Sequence, residues 1–550
     1  MKYMKKIAFF GTIIFIVLIS TASEDMYYFK INKSFDIFGE VFRDISSNYV
    51  AELDPEALMK FGIDGILNSL DPYTDYYSGA EADDLDIITT GSYTGLGITV
   101  ATVDSMLTII NVYDGFTAQR NGLRIGDKLY KIDSSVVLWL GSGDLRKYTN
   151  GKPGSPLDLW VIRDGLRDTL MFKLQREQVK LKNISYSGFI RDSIAYIKLD
   201  RFSTSTSEEL KETINKLKKL HVIKGLIFDL RDNPGGVLQA AVQTCEIFVP
   251  QGSKIVSTIG RRPENVRTYY TQEDPMEPFI PIAVLINEKS ASASEIVAGA
   301  IQDLDRGIIL GSRSYGKGLV QSVFELPFNS SLKMTTARYY TPSGRCIQKL
   351  EFLNKDLLLY KEDAKTSESK EFYTQNGRKV LENNGISPDS TIGDEVLPNF
   401  IEQLEKAGII FGFANEYASK LDTLPKNFKA DSKLLADFSK YIENKDISKK
   451  TPLLGQFSQT LKLASAEALS KNTLNQLKLM ESNLRKEEYN LIKKYSKQLG
   501  KLLEYEISSR LLTENDYYDR FLPRSRLIMS AADIISSEKY YGMLSKKGKP

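Results

Sequence analysis

A serine and a lysine carry the chemistry that this sequence predicts most directly. Ser292 lies in a run of small residues, Ser290–Ser294, which separates the apolar run Ile282–Ile286 from a helix-like segment. Such a turn presents a hydroxyl and backbone N–H groups at a helix N-terminus, where a developing oxyanion is stabilised. Lys317 follows 25 residues later, between two glycines and ahead of an apolar, strand-like stretch. The pattern predicts nucleophilic catalysis by a serine hydroxyl.

A serine nucleophile needs a base that removes its proton. Histidine is the usual base, but the single histidine, His221, closes an amphipathic helix pattern, which fits a helix-end residue near the negative pole of the dipole. Lysine is the alternative, and its ordinary pKa of about 10.4 must fall to about 7–8 for work near neutral pH. Burial lowers the pKa of an amine in this way. We therefore expect Lys317 to be the base.

The segments SASASEIVAGAIQD and YGKGLVQ together resemble the signature of the C-terminal processing (tail-specific) proteases, serine enzymes with a Ser-Lys dyad. On this resemblance Ser292 is the nucleophile and Lys317 the base, while Gln321, four residues past the lysine, orients it. Tyr315 stands where the family commonly has phenylalanine, a minor departure. The resemblance covers roughly residues 35–395 and leaves the C-terminal part of the chain unassigned.

A glycine turn is the expected oxyanion site. The segment RDNPGG directly follows the apolar run Val222–Leu230 and precedes an amphipathic helix pattern that begins at Val237. A strand, a glycine turn and a helix N-terminus in this order form an anion site. The resemblance implies that the Gly236 N–H is one oxyanion donor and the Ala293 N–H the other. The alternative is a plain turn whose glycines serve only a positive φ.

Residues 91–183 read as a small β-rich domain of the PDZ type. The segment GFTAQRNGLRIGDKLYKID resembles a PDZ helix followed by its turn, and TGLGITV places glycines before an alternating strand. Successive N–H groups there are suited to a terminal carboxylate, while an extended peptide adds to the sheet edge. The alternative is a β domain without a ligand. The four residues expected to bind the carboxylate are Gly95, Leu96, Gly97 and Ile98.

Periodicity and composition divide the rest of the chain. From Ser193 onward strands and helices alternate, which favours an α/β core, and the resemblance implies a crotonase/ClpP-like ββα fold with the PDZ domain inserted. The expected domains are a signal peptide or membrane anchor (1–23), an N-terminal helical region (24–90), the PDZ domain (91–183), the catalytic core (184–398) and a C-terminal helical domain (399–550).

The N-terminus predicts export. A basic start precedes the apolar run Ile7–Ile19, about the length of a signal-peptide core and short for a membrane span. We expect a periplasmic protein or one anchored to the outer face of the cytoplasmic membrane. Whether the segment is cleaved stays open.

Several other features bound the function. A net charge of +3 gives no nucleic-acid signal, and the sequence offers no metal cluster, so we expect neither metal nor cofactor. Cys245 and Cys346 are interpreted as separate buried thiols, with a disulfide as the alternative. Asp303, which some relatives share, fits a catalytic support role and a structural ion pair about equally.

The C-terminal 150 residues or so show helical spacing over Leu434–Ile442, Leu461–Leu477 and Leu491–Leu511. This favours a bundle or docking platform, and its apolar stripes suggest a homo-oligomer. The substrates expected are proteins or peptides with free, apolar C-termini. Two other hypotheses remain: a scaffold on an inactive protease-like core, against which the Ser292 and Lys317 pair argues, and a crotonase-like acyl enzyme, which lacks these motifs.

Overall fold

The computed structural model describes residues 26–79, 89–141, 145–191, 193–349, 370–382, 384–393, 397–444, 452–467 and 469–545. The segment 1–23 lies outside these ranges, so its role as a signal peptide or anchor stays a prediction. No helix within the described ranges has both the length and the apolar character needed to cross a bilayer.

Two helices open the described chain, as their apolar spacing predicted. Helix α1 covers residues 26–48 and helix α2 covers Pro55–Leu67, after which strand β1 follows at Asp75–Ser78. The Asp54 side chain caps α2 by accepting a hydrogen bond from the Glu56 N–H. A proline fits the first helical position because no partner is required for its missing N–H.

The inserted β-rich region follows β1 and has its own core, built around Leu107, Ile109 and Leu129. Its main sheet has the order β3-β4-β5-β7-β8, with β6 beside β5, while β2 pairs with β9. Strand β3 therefore lies at an edge of the main sheet. The elements are β2 (Ser92–Gly95), β3 (Ile98–Val103), β4 (Met106–Val112), α3 (Thr117–Arg120), β5 (Lys128–Ile132), β6 (Ser135–Val136), α4 (Arg146–Thr149), β7 (Pro156–Ile162), β8 (Leu170–Gln175) and β9 (Glu177–Lys180).

A six-stranded sheet forms the centre of the core. Its order is β10-β11-β12-β15-β16-β21, and all pairs are parallel except β10 with β11. The core elements are β10 (Ile184–Ile190), β11 (Ile194–Leu199), α5 (Thr206–Leu220), β12 (Gly225–Asp229), α6 (Leu238–Glu246), β13 (Lys254–Gly260), β14 (Arg267–Tyr270), β15 (Ile282–Ile286), α7 (Ala293–Asp303), β16 (Ile308–Gly311), β17 (Leu319–Leu326), β18 (Ser330–Tyr340), β19 (Glu371–Tyr373), β20 (Lys379–Leu381) and β21 (Ser390–Thr391).

The central strands of this sheet are continuous apolar runs in the sequence because they are buried on both faces. Every residue of β11, β12, β15 and β16 is buried, because helices cover both faces of the sheet. A second, antiparallel sheet has the order β1-β18-β13-β14, with β17 also paired to β18. Helix α7, which follows β15, packs against β13 of the second sheet, and Lys317 lies just before β17 of that sheet. The assignment of the core to the crotonase/ClpP class stays a prediction.

The C-terminal region is helical, as its spacing predicted, but the expected stretch Leu461–Leu477 is not one helix. Helix α11 ends at Ala466, and Ser470 caps α12, whose first residue is Lys471. The helices are α8 (Asn399–Lys406), α9 (Ile409–Ala418), α10 (Ser432–Asn444), α11 (Pro452–Ala466), α12 (Lys471–Lys494), α13 (Ser496–Leu511), α14 (Glu514–Phe521), α15 (Arg526–Ile535) and α16 (Lys539–Leu544).

The structure resolves three alternatives that the sequence left open. Cys245 and Cys346 are free and buried, which confirms two separate thiols. His221 is the exposed C-cap of α5, as its position predicted. Asp303, at the far end of α7, forms a buried ion pair with Arg345, with 2.8 Å between Oδ1 and Nη2. This geometry supports the structural interpretation of Asp303.

Candidate active site

Ser292 is the N-cap of α7 and has an unusual backbone conformation. Its φ of 53° and ψ of −113° lie outside the regions that L-residues normally adopt. Such strain persists only where the surrounding structure fixes it, and it is concentrated at functional sites. All residues of α7 are buried, so the helix is a rigid base for the half-buried serine.

The carboxylate of Glu295 joins the serine turn to the lysine turn. Its Oε2 accepts hydrogen bonds from the N–H groups of Ser292 (2.8 Å) and Lys317 (2.9 Å). Its Oε1 accepts from Ser314 Oγ at 2.5 Å and from the Gly316 N–H at 2.7 Å. Burial raises the pKa of Glu295 to about 6, although these hydrogen bonds oppose the shift. One side chain therefore fixes both backbones.

Tyr339 makes a second link between the two turns. Its buried hydroxyl lies 3.1 Å from the carbonyl oxygen of Ser292 and 2.5 Å from that of Lys317, and hydrogen-bonds to both. Burial raises the pKa of this phenol well above its usual value, so it stays a donor. The structure thus brings the backbones of Ser292 and Lys317, 25 positions apart in the sequence, to one phenol.

The amine of Lys317 is half-buried, as a lysine base requires. Burial is the largest cause that lowers its pKa, and the positive charge of Lys333 adds to the effect. The carboxylates of Asp71, Glu295 and Asp75 oppose it. The Nζ atom lies 4.3 Å from the centre of the Tyr73 ring. Among the residues described, none accepts a hydrogen bond from this amine.

Gln321 lies on β17, but it does not reach the lysine side chain. Its Nε2 donates to Thr335 Oγ1 on the neighbouring strand β18, at 3.3 Å. No hydrogen bond links Gln321 to Lys317 in the described part of the chain. Its expected orienting role therefore stays a prediction.

The glycine turn after β12 packs directly against the serine. A Cβ atom added to Gly235, whose φ is +99°, would lie 2.9 Å from the Ser292 Cβ. Asn233 holds the turn in place: its Oδ1 accepts from the Gly235 N–H at 2.8 Å, and its carbonyl accepts from the Ala291 N–H and from Ser294 Oγ, both at 3.0 Å. Loop and helix are therefore one unit.

The two expected oxyanion donors are available. The Gly236 N–H and the Ala293 N–H donate to no acceptor in the described ranges, whereas the neighbouring N–H groups of Gly235 and Ser292 are both engaged. Ala293 is the first residue of α7, so its N–H has no partner within the helix. The assignment of the oxyanion hole remains a proposal.

A buried ion pair anchors the start of the same turn. The Arg231 guanidinium donates to the carboxylate of the fully buried Asp229, with Nη2 2.6 Å from Oδ2. Burial alone raises the pKa of Asp229, but the charges of Arg231 and Lys198 outweigh it and hold the pKa at about 2. The carboxylate therefore stays ionised near neutral pH.

The expected carboxylate loop in the β-rich region has its carbonyl groups turned inward. Leu96 O accepts from the Ala118 N–H at 3.1 Å, and Gly97 O accepts from the Tyr113 N–H at 2.9 Å. Gly97 has a φ of +77°, where a side chain would be strained. The N–H groups of Leu96 and Gly97 have no acceptor within the described residues. Among all the residues that the structure describes, no group of three or more His, Cys, Asp or Glu side chains is placed to bind a metal ion.

Two family models match the chain. Residues 193–357 match "Peptidase family S41", and residues 400–535 match "Probable PDZ-protease, C-terminal helical domain". The first range contains the serine turn, the glycine turn and Lys317 together. The second corresponds to the helical region that the motifs alone left unassigned.

Known proteins agree with these matches. A carboxy-terminal-processing protease of Bartonella bacilliformis is 36% identical over 314 residues, covering 56% of this chain and 72% of the relative. A probable CtpA-like serine protease of Staphylococcus aureus is 29% identical over 310 residues, covering 56% of this chain and 61% of the relative. The chain belongs to the carboxy-terminal-processing protease family, within peptidase family S41, and is a serine-type peptidase.

A solved photosystem II D1 C-terminal processing protease shows 25% identity, covering 68% of this chain and 96% of that protein. The TM-score between the two structures is 0.36.

Three residues of the site were not identified from the sequence. Glu295 stands three positions after Ser292, at the spacing of a capping box, and this spacing was a usable signal. The roles of Tyr339 and Tyr73 depend on contacts between distant segments, which local spacing does not show.

Proposed function

We propose that this protein is an exported endopeptidase that cleaves other proteins near their C-termini through a Ser292–Lys317 dyad. Ser292 Oγ attacks the scissile carbonyl, and the neutral Lys317 amine takes the hydroxyl proton and later returns one to the leaving amine. The N–H groups of Gly236 and Ala293 stabilise the oxyanion. Removing one such donor typically costs roughly 3 kcal/mol of transition-state stabilisation.

The observation that carries this proposal is the double link between the two turns. Glu295 binds the N–H groups of Ser292 and Lys317, and Tyr339 binds their carbonyl oxygens. The backbone of a strained serine turn is thereby fixed relative to the backbone of a lysine whose amine is half-buried and whose pKa is lowered.

The decisive test uses a peptide with an apolar, free C-terminus. Ser292→Ala and Lys317→Ala should each lower kcat by at least about a thousandfold while circular dichroism and the thermal midpoint stay unchanged. Lys289→Ala is the control, because this exposed lysine lies in the same segment and its amine forms an ion pair with the exposed Asp232. Cleavage by Lys317→Ala at neutral pH would identify another base, and binding without cleavage by the wild type would favour a scaffold.

We further propose that the β-rich region is a PDZ domain that captures the substrate tail. The free N–H groups of Leu96 and Gly97 would receive the terminal carboxylate, and the open edge of β3 (Ile98–Val103) would pair with the extended peptide. Capture would raise the local concentration of the scissile bond near Ser292.

The capture hypothesis is tested by two peptides of one sequence, one with a free C-terminus and one with an amide. In fluorescence anisotropy, the Ser292→Ala protein should bind the free acid at least tenfold more tightly than the amide. The reason is that the amidated peptide lacks the carboxylate to which the N–H groups would donate. Equal affinities would contradict carboxylate capture.

Localisation and assembly belong to the same proposal. The apolar N-terminal run supports export to the periplasm or to the outer face of the membrane, and fractionation of cells that produce the protein tests this. Self-association through the C-terminal helices rests on apolar side chains that stay exposed on α12, such as Leu479 and Met480. Light scattering of the purified chain measures it.

A further inference from the structure

A short turn between α2 and β1 crosses the site and is firmly anchored. Asp71 shapes the turn, because its carboxylate accepts from the Tyr73 N–H at 2.8 Å and from Thr74 Oγ1 at 3.0 Å. Thr74 Oγ1 in turn accepts from the Thr335 N–H of β18 at 3.2 Å. The buried Thr74 thus fixes Tyr73 relative to the sheet that carries the lysine.

The ring of Tyr73 covers the amine of Lys317. The 4.3 Å between Nζ and the ring centre is well inside the range of roughly 6 Å in which a cation interacts with an aromatic face. The Tyr73 hydroxyl points toward Tyr315, with 3.5 Å between the two phenolic oxygens. The ring face, and not the hydroxyl, therefore meets the amine.

Charged groups of both signs surround the Lys317 amine. Lys333 lies on β18 and disfavours a second positive charge, but its own amine is held by Asp75 at 3.1 Å and by the Tyr77 hydroxyl at 2.5 Å. The carboxylates of Asp71, Asp75 and Glu295 favour the charge on Lys317. Burial disfavours that charge, and the face of the Tyr73 ring is a further contact that stabilises it.

We propose that Tyr73 is a positioning residue for the general base, and that its ring holds the Lys317 amine as a cation at the edge of the site until the proton is lost. The proposal rests on Lys317 being the base, as set out above. A neutral amine interacts weakly with the ring, because the attraction comes from the positive charge. Deprotonation therefore releases the amine toward Ser292.

The ring also sets the pH at which the base becomes available. It stabilises the ammonium form, so removing it should make deprotonation easier and move the acidic limb of the kcat/KM profile to lower pH. A cation–π contact at a partly desolvated site corresponds to a movement of about 0.5 to 1 pH unit. A residue that only supported the fold would lower the rate without moving the limb.

The experiment compares three variants over the pH range in which the wild type stays folded. Tyr73→Leu should move the acidic limb of the kcat/KM profile down by about 0.5 to 1 pH unit, because the ammonium form loses the aromatic face that stabilises it. Tyr73→Phe keeps the aromatic ring, so the acidic limb of its kcat/KM profile should stay at the wild-type pH. Tyr76→Leu removes a neighbouring aromatic side chain of β1 and should also leave the limb there. Thermal melts establish that each variant is folded.

Labelling of Ser292 by a fluorophosphonate probe gives a second readout that needs no peptide substrate. Its pH dependence should move with Tyr73→Leu in the same direction as kcat/KM. If Tyr73→Leu lowers the rate but leaves both limbs in place, or if Tyr73→Phe moves them as far, the proposal is overturned. If Lys317→Ala keeps its activity, the dyad itself fails, and this outcome is distinct from a failure of Tyr73.

Discussion

At the scale of single residues, Glu295 organises the site through hydrogen bonds to the backbones of both turns. Four donors converge on its buried carboxylate, one from the serine turn (Ser292) and three from the segment between β16 and β17 (Ser314, Gly316 and Lys317). A carboxylate in a dry environment is costly unless its oxygen atoms are hydrogen-bonded, and here both are. The raised pKa of about 6 reflects the burial that remains uncompensated.

Glu295→Gln should therefore separate geometry from charge. Glutamine keeps the shape but has one acceptor atom, so an N–H facing its amide nitrogen loses its partner, and kcat should fall roughly 10- to 100-fold. The pH dependence of stability should change too. The folded pKa of about 6 exceeds the ordinary value of 4.5, so wild-type stability from this group is present below pH 4.5 and lost as pH rises through 6.

The ionisation of Glu295 should lower the free energy of unfolding of the wild type by about 2 kcal/mol. The Glu295→Gln variant should not show this loss. Urea unfolding at pH 4.5 and pH 7 measures the difference for both proteins. An identical pH response in wild type and Glu295→Gln would contradict the raised pKa, and unchanged kcat would contradict the positioning role.

The sequence predicted the dyad because serine and lysine stand in two compact motifs, but it did not predict what holds them together. Glu295 binds Gly316 and Lys317 across more than 20 residues, and Tyr73 reaches Lys317 across 244. Such contacts depend on how strands pair, and local residue patterns do not encode that pairing. Gln321 illustrates the limit, since its partner is Thr335 on the adjacent strand.

At the scale of elements, the glycine turn and helix α7 behave as one block. The turn approaches α7 so closely that a Cβ on Gly235 would lie 2.9 Å from the Ala293 nitrogen as well as from the Ser292 Cβ. Gly236 is equally confined, because its Cβ would lie 1.9 Å from the Phe202 carbonyl oxygen. The sequence indicated strand, turn and helix here, while the closeness of turn and serine emerges only from the packing.

Gly235→Ala should disable the enzyme through this close approach. Positive φ costs an alanine roughly 1–2 kcal/mol, and the added methyl group also displaces Ser292 or the Ala293 N–H. We expect kcat to fall at least a hundredfold, with labelling of Ser292 by a fluorophosphonate reduced in parallel. Gly252→Ala is the matched control, because Gly252 has a similar φ of +78° but open space around the new Cβ. Equal activity of the two variants would contradict the steric argument.

At the scale of the whole molecule, the C-terminal helices complete the catalytic core. The central sheet has two apolar faces. Helices α5, α6 and α7 cover one, and α15 with α16 covers the other, where Ile227, Leu285 and Leu310 are buried. The approach is close, since a Cβ on Gly225 of β12 would lie 2.2 Å from the Ile535 Cγ2. The sequence predicted helices here but not their place, because an apolar stripe does not specify its partner.

This arrangement predicts that a destabilising substitution in α15 lowers the activity of the Ser292–Lys317 site, although none of the residues of that site lies on α15. Ala531 is fully buried against the sheet, so Ala531→Asp places an unpaired charge there. We expect a loss of about 3 kcal/mol or more in the free energy of unfolding, and hence a thermal midpoint lower by about 6–12 °C. Activity should follow the folded fraction. Arg526→Asp, at the exposed first position of the same helix, should change the midpoint little, because an acid is favourable there. If Ala531→Asp keeps the wild-type midpoint, the helices do not cover the sheet in solution.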